Sequence, residues 1–145
     1  MYALIMANVH PASERTAERA TLCNSTVVLL VGNIEASTHW YERIGFEAYY
    51  FPPGFCILRR DAVKIFLQQQ DGYIKPDDPA ARERGAWNVN IETDNVDALF
   101  EELSRLHEVK VTRGLCRKEY GQIEFDVMDP SGYVLVFAQP IAKDV

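Results

Sequence analysis

The sequence predicts an α+β protein made of two βαβββ modules. Thr26–Val31 is a β-branched apolar run ended by Gly32 and Asn33, a helix pattern follows it, and three further short strands follow the helix. After a polar stretch the same order begins again, which makes an internal repeat of about 50–60 residues. Each module offers one apolar sheet face that it cannot cover alone.

In chain order, Asn33 is placed to cap a helix from Ile34 to about Ile44. Ala36, Trp40 and Ile44 form its apolar stripe with Tyr41 beside them, so Trp40 is expected in the core. Gly45-Phe46 reads as a helix-ending glycine followed by an apolar contact residue. Three strands are expected next, at Glu47–Phe51, Phe55–Arg60 and Val63–Gln68, with Pro52-Pro53-Gly54 and Arg60-Asp61 as turns. Residues 71–85 shift to Gly, Pro, Asp, Lys and Arg and read as a linker.

The second half opens with Trp87–Glu92, an alternating strand in which Trp87 shares a face with Val89 and Ile91. Thr93 or Asp94 is expected to cap a helix with Val96, Leu99, Phe100, Leu103 and Leu106 on its apolar stripe. Val109–Arg113, Gln122–Met128 and Tyr133–Ala138 complete it, the last two joined by Asp129-Pro130-Ser131-Gly132, a type I turn sequence. The expected organisation is an extension over residues 1–22 and one domain over 23–141, comprising module one (23–70), the linker (71–85) and module two (86–141). The extension has room for a short helix over residues 11–20, or for an arm lying on a partner chain.

Charge and composition narrow the function. Fifteen Lys and Arg against 21 Asp and Glu give a net −6, which argues against nucleic acid and favours a neutral or cationic ligand. The same charge is also an ordinary solubility charge. Cys23, Cys56 and Cys116 make neither a CxxC pair nor a zinc-finger spacing, which reads as a reduced, cytoplasmic protein. No secretory signal and no membrane span is expected, because Glu14, Arg15, Glu18 and Arg19 interrupt the start and no apolar run reaches about 18 residues. His10, His39 and His107 read as solvated or helix-end residues.

Leu30-Val31-Gly32-Asn33-Ile34-Glu35-Ala36-Ser37, with Trp40-Tyr41 and Ile44-Gly45-Phe46, resembles the first-module signature of the vicinal-oxygen-chelate superfamily. Glyoxalase I, extradiol dioxygenases, fosfomycin-resistance enzymes and bleomycin-resistance proteins belong to that superfamily. Val96-Asp97-Ala98-Leu99, Tyr120-Gly121, Glu124-Phe125 and Asp129-Pro130 with Gly132 and Phe137 resemble its second-module signature, and the likeness spans Thr26 to Ile141. It implies curled mixed sheets around a cleft and a homodimer; whether strands exchange between chains is left open.

In the metalloenzymes of that superfamily, ligands sit on the first and last strands of each module. The matching positions here are Thr26, Gln68, Asn88 and Val136, which do not make an N/O ligand set for Fe, Mn, Ni or Zn. No metal, no cofactor and no catalytic residue is therefore expected. The resemblance then falls to the bleomycin-resistance branch, whose members sequester a bulky cationic glycopeptide without altering it. Aromatic residues at matching places sandwich the drug's rings; here they are Tyr50, Phe55 and Tyr120, the last where the branch often has Trp.

Asn88, Asn90 and Glu92 lie on the strand face that the resemblance turns into the cleft. These six residues are the candidate ligand-binding set. Plainer readings stand beside five of them: core or dimer interface for Tyr50 and Phe55, and a wet sheet face for Asn88, Asn90 and Glu92. Glu124 and Asp126 share a strand face, as a solvated edge or a cation clamp. An enzyme with an unconventional metal site near Gln68 and Glu92, a metal-independent isomerase, or an accessory protein engaging a protein partner are the alternative functions.

Overall fold

The computed structural model describes residues 18–85 and 88–142, so Trp87, His10 and almost all of the expected helix over 11–20 lie outside the described residues. Module one comprises β1 (Val27–Val31), α1 (Ile34–Arg43), β2 (Glu47–Phe51), β3 (Phe55–Arg60) and β4 (Val63–Gln69). A short α2 (Pro79–Glu83) follows in the linker. Module two comprises β5 (Val89–Glu92), α3 (Val96–Ser104), β6 (Lys110–Lys118), β7 (Gln122–Met128) and β8 (Val134–Pro140). The sheets have the orders β1-β4-β3-β2 and β5-β8-β7-β6, and in each the first strand runs parallel to the last. The predicted α+β class and the repeat are both present.

α1 and α3 each pack on the sheet of their own module, and alternation along the strands divides each sheet into a helix face and an outer face. Leu29, Val31, Leu58, Ile65 and Leu67 are buried on the helix face of module one; Ile91, Phe125, Val127, Leu135 and Phe137 are their counterparts in module two. All ten belong to one continuous apolar cluster, which also takes in Trp40, Tyr41, Ile44, Val96 and Leu103.

The two modules start their helices by the same devices. Asn33 and Asn95 cap them through their side-chain oxygens, which accept from Ala36 N and Ala98 N. The side chains of Gln69 and Gln139, late on the last strands, accept from the first helical amides, Ile34 N and Val96 N, both at 2.9 Å. Two donors that a helix start leaves over are thereby satisfied in each module. The cap of α3 is Asn95 rather than Thr93 or Asp94; Thr93 instead accepts from Asn95 N.

Polar contacts lock the modules together. Trp40 Nε1 donates to Glu108 O at 3.1 Å, Arg43 pairs with the Glu108 carboxylate, and Arg60 makes a two-pronged contact with Glu102 at 3.0 and 3.1 Å. Ala36, expected on the apolar stripe, is exposed, and Ser37 takes the buried place because its hydroxyl meets Ser131 Oγ at 3.1 Å. Gly45 ends α1 with φ 98°, and Phe46 N bonds back to Tyr41 O, as a helix-ending glycine requires. Among the described residues, no helix is long and apolar enough to cross a membrane.

Candidate functional site

β6 is longer than its sequence suggests. It continues from Lys110 through Gly114 to Lys118, with two breaks of register between Val111 and Cys116. Those irregularities hid the strand from an alternation pattern, and they also decide what faces what. They set Arg113 opposite Asp126 and Cys116 opposite Glu124. On the other side of β7, Asp126 pairs with Val136 and Glu124 with Ala138, and across β8 these meet Asn90 and Glu92. The outer face of module two therefore carries two rows: Asn90, Val136, Asp126, Arg113, and Glu92, Ala138, Glu124, Cys116.

A compact polar cluster sits at the β6–β7 end of these rows. Arg113 Nη2 donates to both Glu124 Oε1, at 3.0 Å, and Asp126 Oδ1, at 2.9 Å. Tyr120, in the turn between β6 and β7, donates its hydroxyl to the same Glu124 oxygen at 2.8 Å. Glu124 is 0% exposed and Asp126 8%, so a solvated edge is excluded. Burial raises the Asp126 carboxyl above its ordinary value, against the lowering effect of Arg113. Desolvation and the bond to Glu124 push the Tyr120 phenol up to about 12. Arg113 was missed in the sequence, where only its register across the bulge could have shown it.

The outer face of module one is of the opposite kind. Val28, Tyr49 and Phe51 are about half exposed on it, and Phe55, Ile57 and Phe66 are half-buried beside them. Phe55 sits between two rings, its centroid 6.2 Å from Phe51 and 5.1 Å from Phe66. Tyr50 is not on this face. Its cross-strand partner is the buried Cys56, so it lies on the helix side and borders a cavity of about 730 Å³ with Thr38, His39, Glu42 and Gln69. Tyr50 and Phe55 thus occupy opposite faces of one sheet. His39 and His107 are both exposed.

Of Asn88, Asn90 and Glu92, the last two are exposed on the outer face, while the Asn88 side chain accepts from Val134 N at 2.9 Å and ties the start of β5 to β8. That bond bears on metal binding. Among the four places that hold metal in related enzymes, Val136 is buried aliphatic, the Asn88 oxygen is engaged, and Thr26 and Gln68 offer only a hydroxyl and an amide. This donor set does not fit a transition metal. Among the described residues, no group of three or more His, Cys, Asp or Glu is placed to hold one either.

Paired βαβββ modules, each an open four-stranded mixed sheet, joined by one apolar core define the architecture. The chain belongs to the Glyoxalase/Bleomycin resistance protein/Dioxygenase superfamily, whose family profile matches residues 25–137. Among solved structures, a bleomycin-binding protein complexed with bleomycin is similar over 81% of this chain and 98% of its own, with TM-score 0.64 and 19% identity. A bleomycin resistance determinant encoded on transposon Tn5 is similar over 82% and 98%, with TM-score 0.63 and 19% identity. A glyoxalase/bleomycin resistance protein/dioxygenase from Alicyclobacillus acidocaldarius gives TM-score 0.68 at 14% identity over 86% and 96%. At these identities the likeness is one of fold. No curated protein matches the sequence.

Proposed function

We propose that the protein binds a bulky cationic or aromatic small molecule of the glycopeptide-antibiotic kind and acts by sequestering it, making and breaking no bond. The observation that carries this reading is the pairing of an aromatic sheet face on module one with an outer face on module two where two buried carboxylates share one guanidinium. Aromatic faces attract rings and cations by about 0.5–2 kcal/mol per contact, and an excess of carboxylate favours positive charge. Phe55 and Tyr120 supply rings, and Asn90 and Glu92 supply polar contacts along the same rows. Asn88 holds the strand in place, and Tyr50 serves a ligand only from the helix side. Bleomycin binding by a structural neighbour supports the ligand class.

The working unit in this reading is a cytoplasmic homodimer. The half-exposed Val28, Tyr49 and Phe51, continuous with Phe55, Ile57 and Phe66, form an apolar surface of the sort that soluble monomers rarely leave open. A second copy covering it would enclose the ligand, with or without strand exchange.

Calorimetric titration with bleomycin tests the proposal. Saturable heat, recovery of unaltered drug by mass spectrometry and protection of DNA from cleavage are expected. No heat and no protection overturn the drug assignment. A stoichiometric transition metal in protein purified without chelators would instead favour an enzyme.

A further inference from the structure

Protein interiors leave few voids larger than a water molecule, yet a recess of about 270 Å³ opens between the two modules, where the β3–β4 turn abuts the β5–α3 corner. Its lining comes from both: Ile44, Phe46 and Val63 from module one, Ile91, Leu99 and Phe137 from module two. Five of these six are at most 9% exposed, and Val63 is half-buried. Side chains of this kind give water no hydrogen-bond partner, so the recess is poorly hydrated and favours an apolar guest. A cavity of about 150 Å³ lined by Leu, Ile and Phe holds benzene. This one has room for one ring with a short substituent and none for a glycopeptide.

The recess is preformed. Arg60 Nη1 donates to Ile44 O at 2.8 Å, at the end of α1, while its two Nη atoms hold Glu102 of α3, so one side chain clamps walls from both modules. With its guanidinium paired, Arg60 offers little to an anion. Asp61, Glu92 and Asp94 border the recess and are exposed, which places three carboxylates at its mouth. A carboxylate only accepts hydrogen bonds, so these groups call for a donor and repel negative charge.

We propose that the inter-module recess is a second ligand site, for a single aromatic ring carrying an O–H or N–H donor. The ring lies against the apolar lining and the donor faces the carboxylates at the mouth; a benzylic alcohol has this form. Apart from Glu92 at the end of β5, the site shares no residue with the outer sheet faces, and it does not rest on the antibiotic reading. Because its walls belong to both modules, an occupant braces the junction and stabilises the folded chain.

The test is titration of the methyl-labelled full chain with benzyl alcohol, benzyl methyl ether and benzoate, which share a ring and carry a donor, no donor and a negative charge. Benzyl alcohol is expected to shift the Ile44, Val63, Ile91 and Leu99 methyl signals saturably and to raise the thermal unfolding midpoint as its concentration rises. The ether is expected to bind about fivefold more weakly, and benzoate not to bind. Absence of saturable shifts at these methyls, or shifts confined to Val28 and Ile57 on the outer face of module one, overturns the proposal. Equal binding of the alcohol and its ether, or benzoate binding as tightly as the alcohol, also overturns it. All of these outcomes are read on the wild-type chain, so none depends on a variant that folds.

Discussion

Tyr41 of α1 donates its hydroxyl to Asp129 Oδ2 at 2.8 Å, a fully buried bond that ties the helix of module one to the β7–β8 turn of module two. The other carboxylate oxygen accepts from Ser131 N and Tyr133 N at 2.9 and 2.8 Å, which folds the turn around Gly132 (φ 92°). Burial raises the pKa of both partners, so the pair is a phenol bonded to a desolvated carboxyl.

Tyr41→Phe keeps the packing and strands Asp129 Oδ2. Stability is expected to fall by about 1–3 kcal/mol, read as a lower denaturation midpoint at unchanged slope. A variant as stable as the parent would show that the modules are held by apolar packing alone.

Asp126 makes a signed prediction about pH. Its folded pKa is held above the usual value of 3.8, so the folded chain keeps this proton more tightly than the unfolded one. That contribution to stability is fully present below the unfolded value and is lost as pH rises through the raised one. The stability of the parent relative to Asp126→Asn should therefore shrink as pH climbs from the acid side. Growth of the difference over that range, measured by denaturant titration at several pH values, would reverse the assigned shift.

The opposed faces of module one separate two aromatic residues that the sequence grouped together. Phe55→Ala is expected to weaken bleomycin binding by about 1 kcal/mol or more, while Tyr50→Ala, on the helix side, should change it less. Calorimetry on the two variants checks this, and equal losses would mean that the ligand reaches past the β2–β3 turn.

Much of the fold was legible because local signals and packing agreed. β1, β3 and β4 form where apolar runs predicted strands, and Asn33 caps the helix that it precedes. The failures have local causes. Thr93, Asp94 and Asn95 are all good caps, and register alone selected Asn95, with Gln139 from a distant strand meeting the next amide. Ala36 is apolar, but Ser37 faces the partner hydroxyl. The candidate site was half legible. Glu124 and Asp126 were seen to share a face, but their partner Arg113 reaches them because β6 slips register between Val111 and Arg113.

Hydrogen exchange of the full chain with and without bleomycin tests the central claim most directly, because it asks where the ligand sits. The account predicts protection over residues 49–57 on module one and 120–126 on module two, with α1 unchanged. Protection confined to α1 and its cavity, or none at saturating drug, would contradict it.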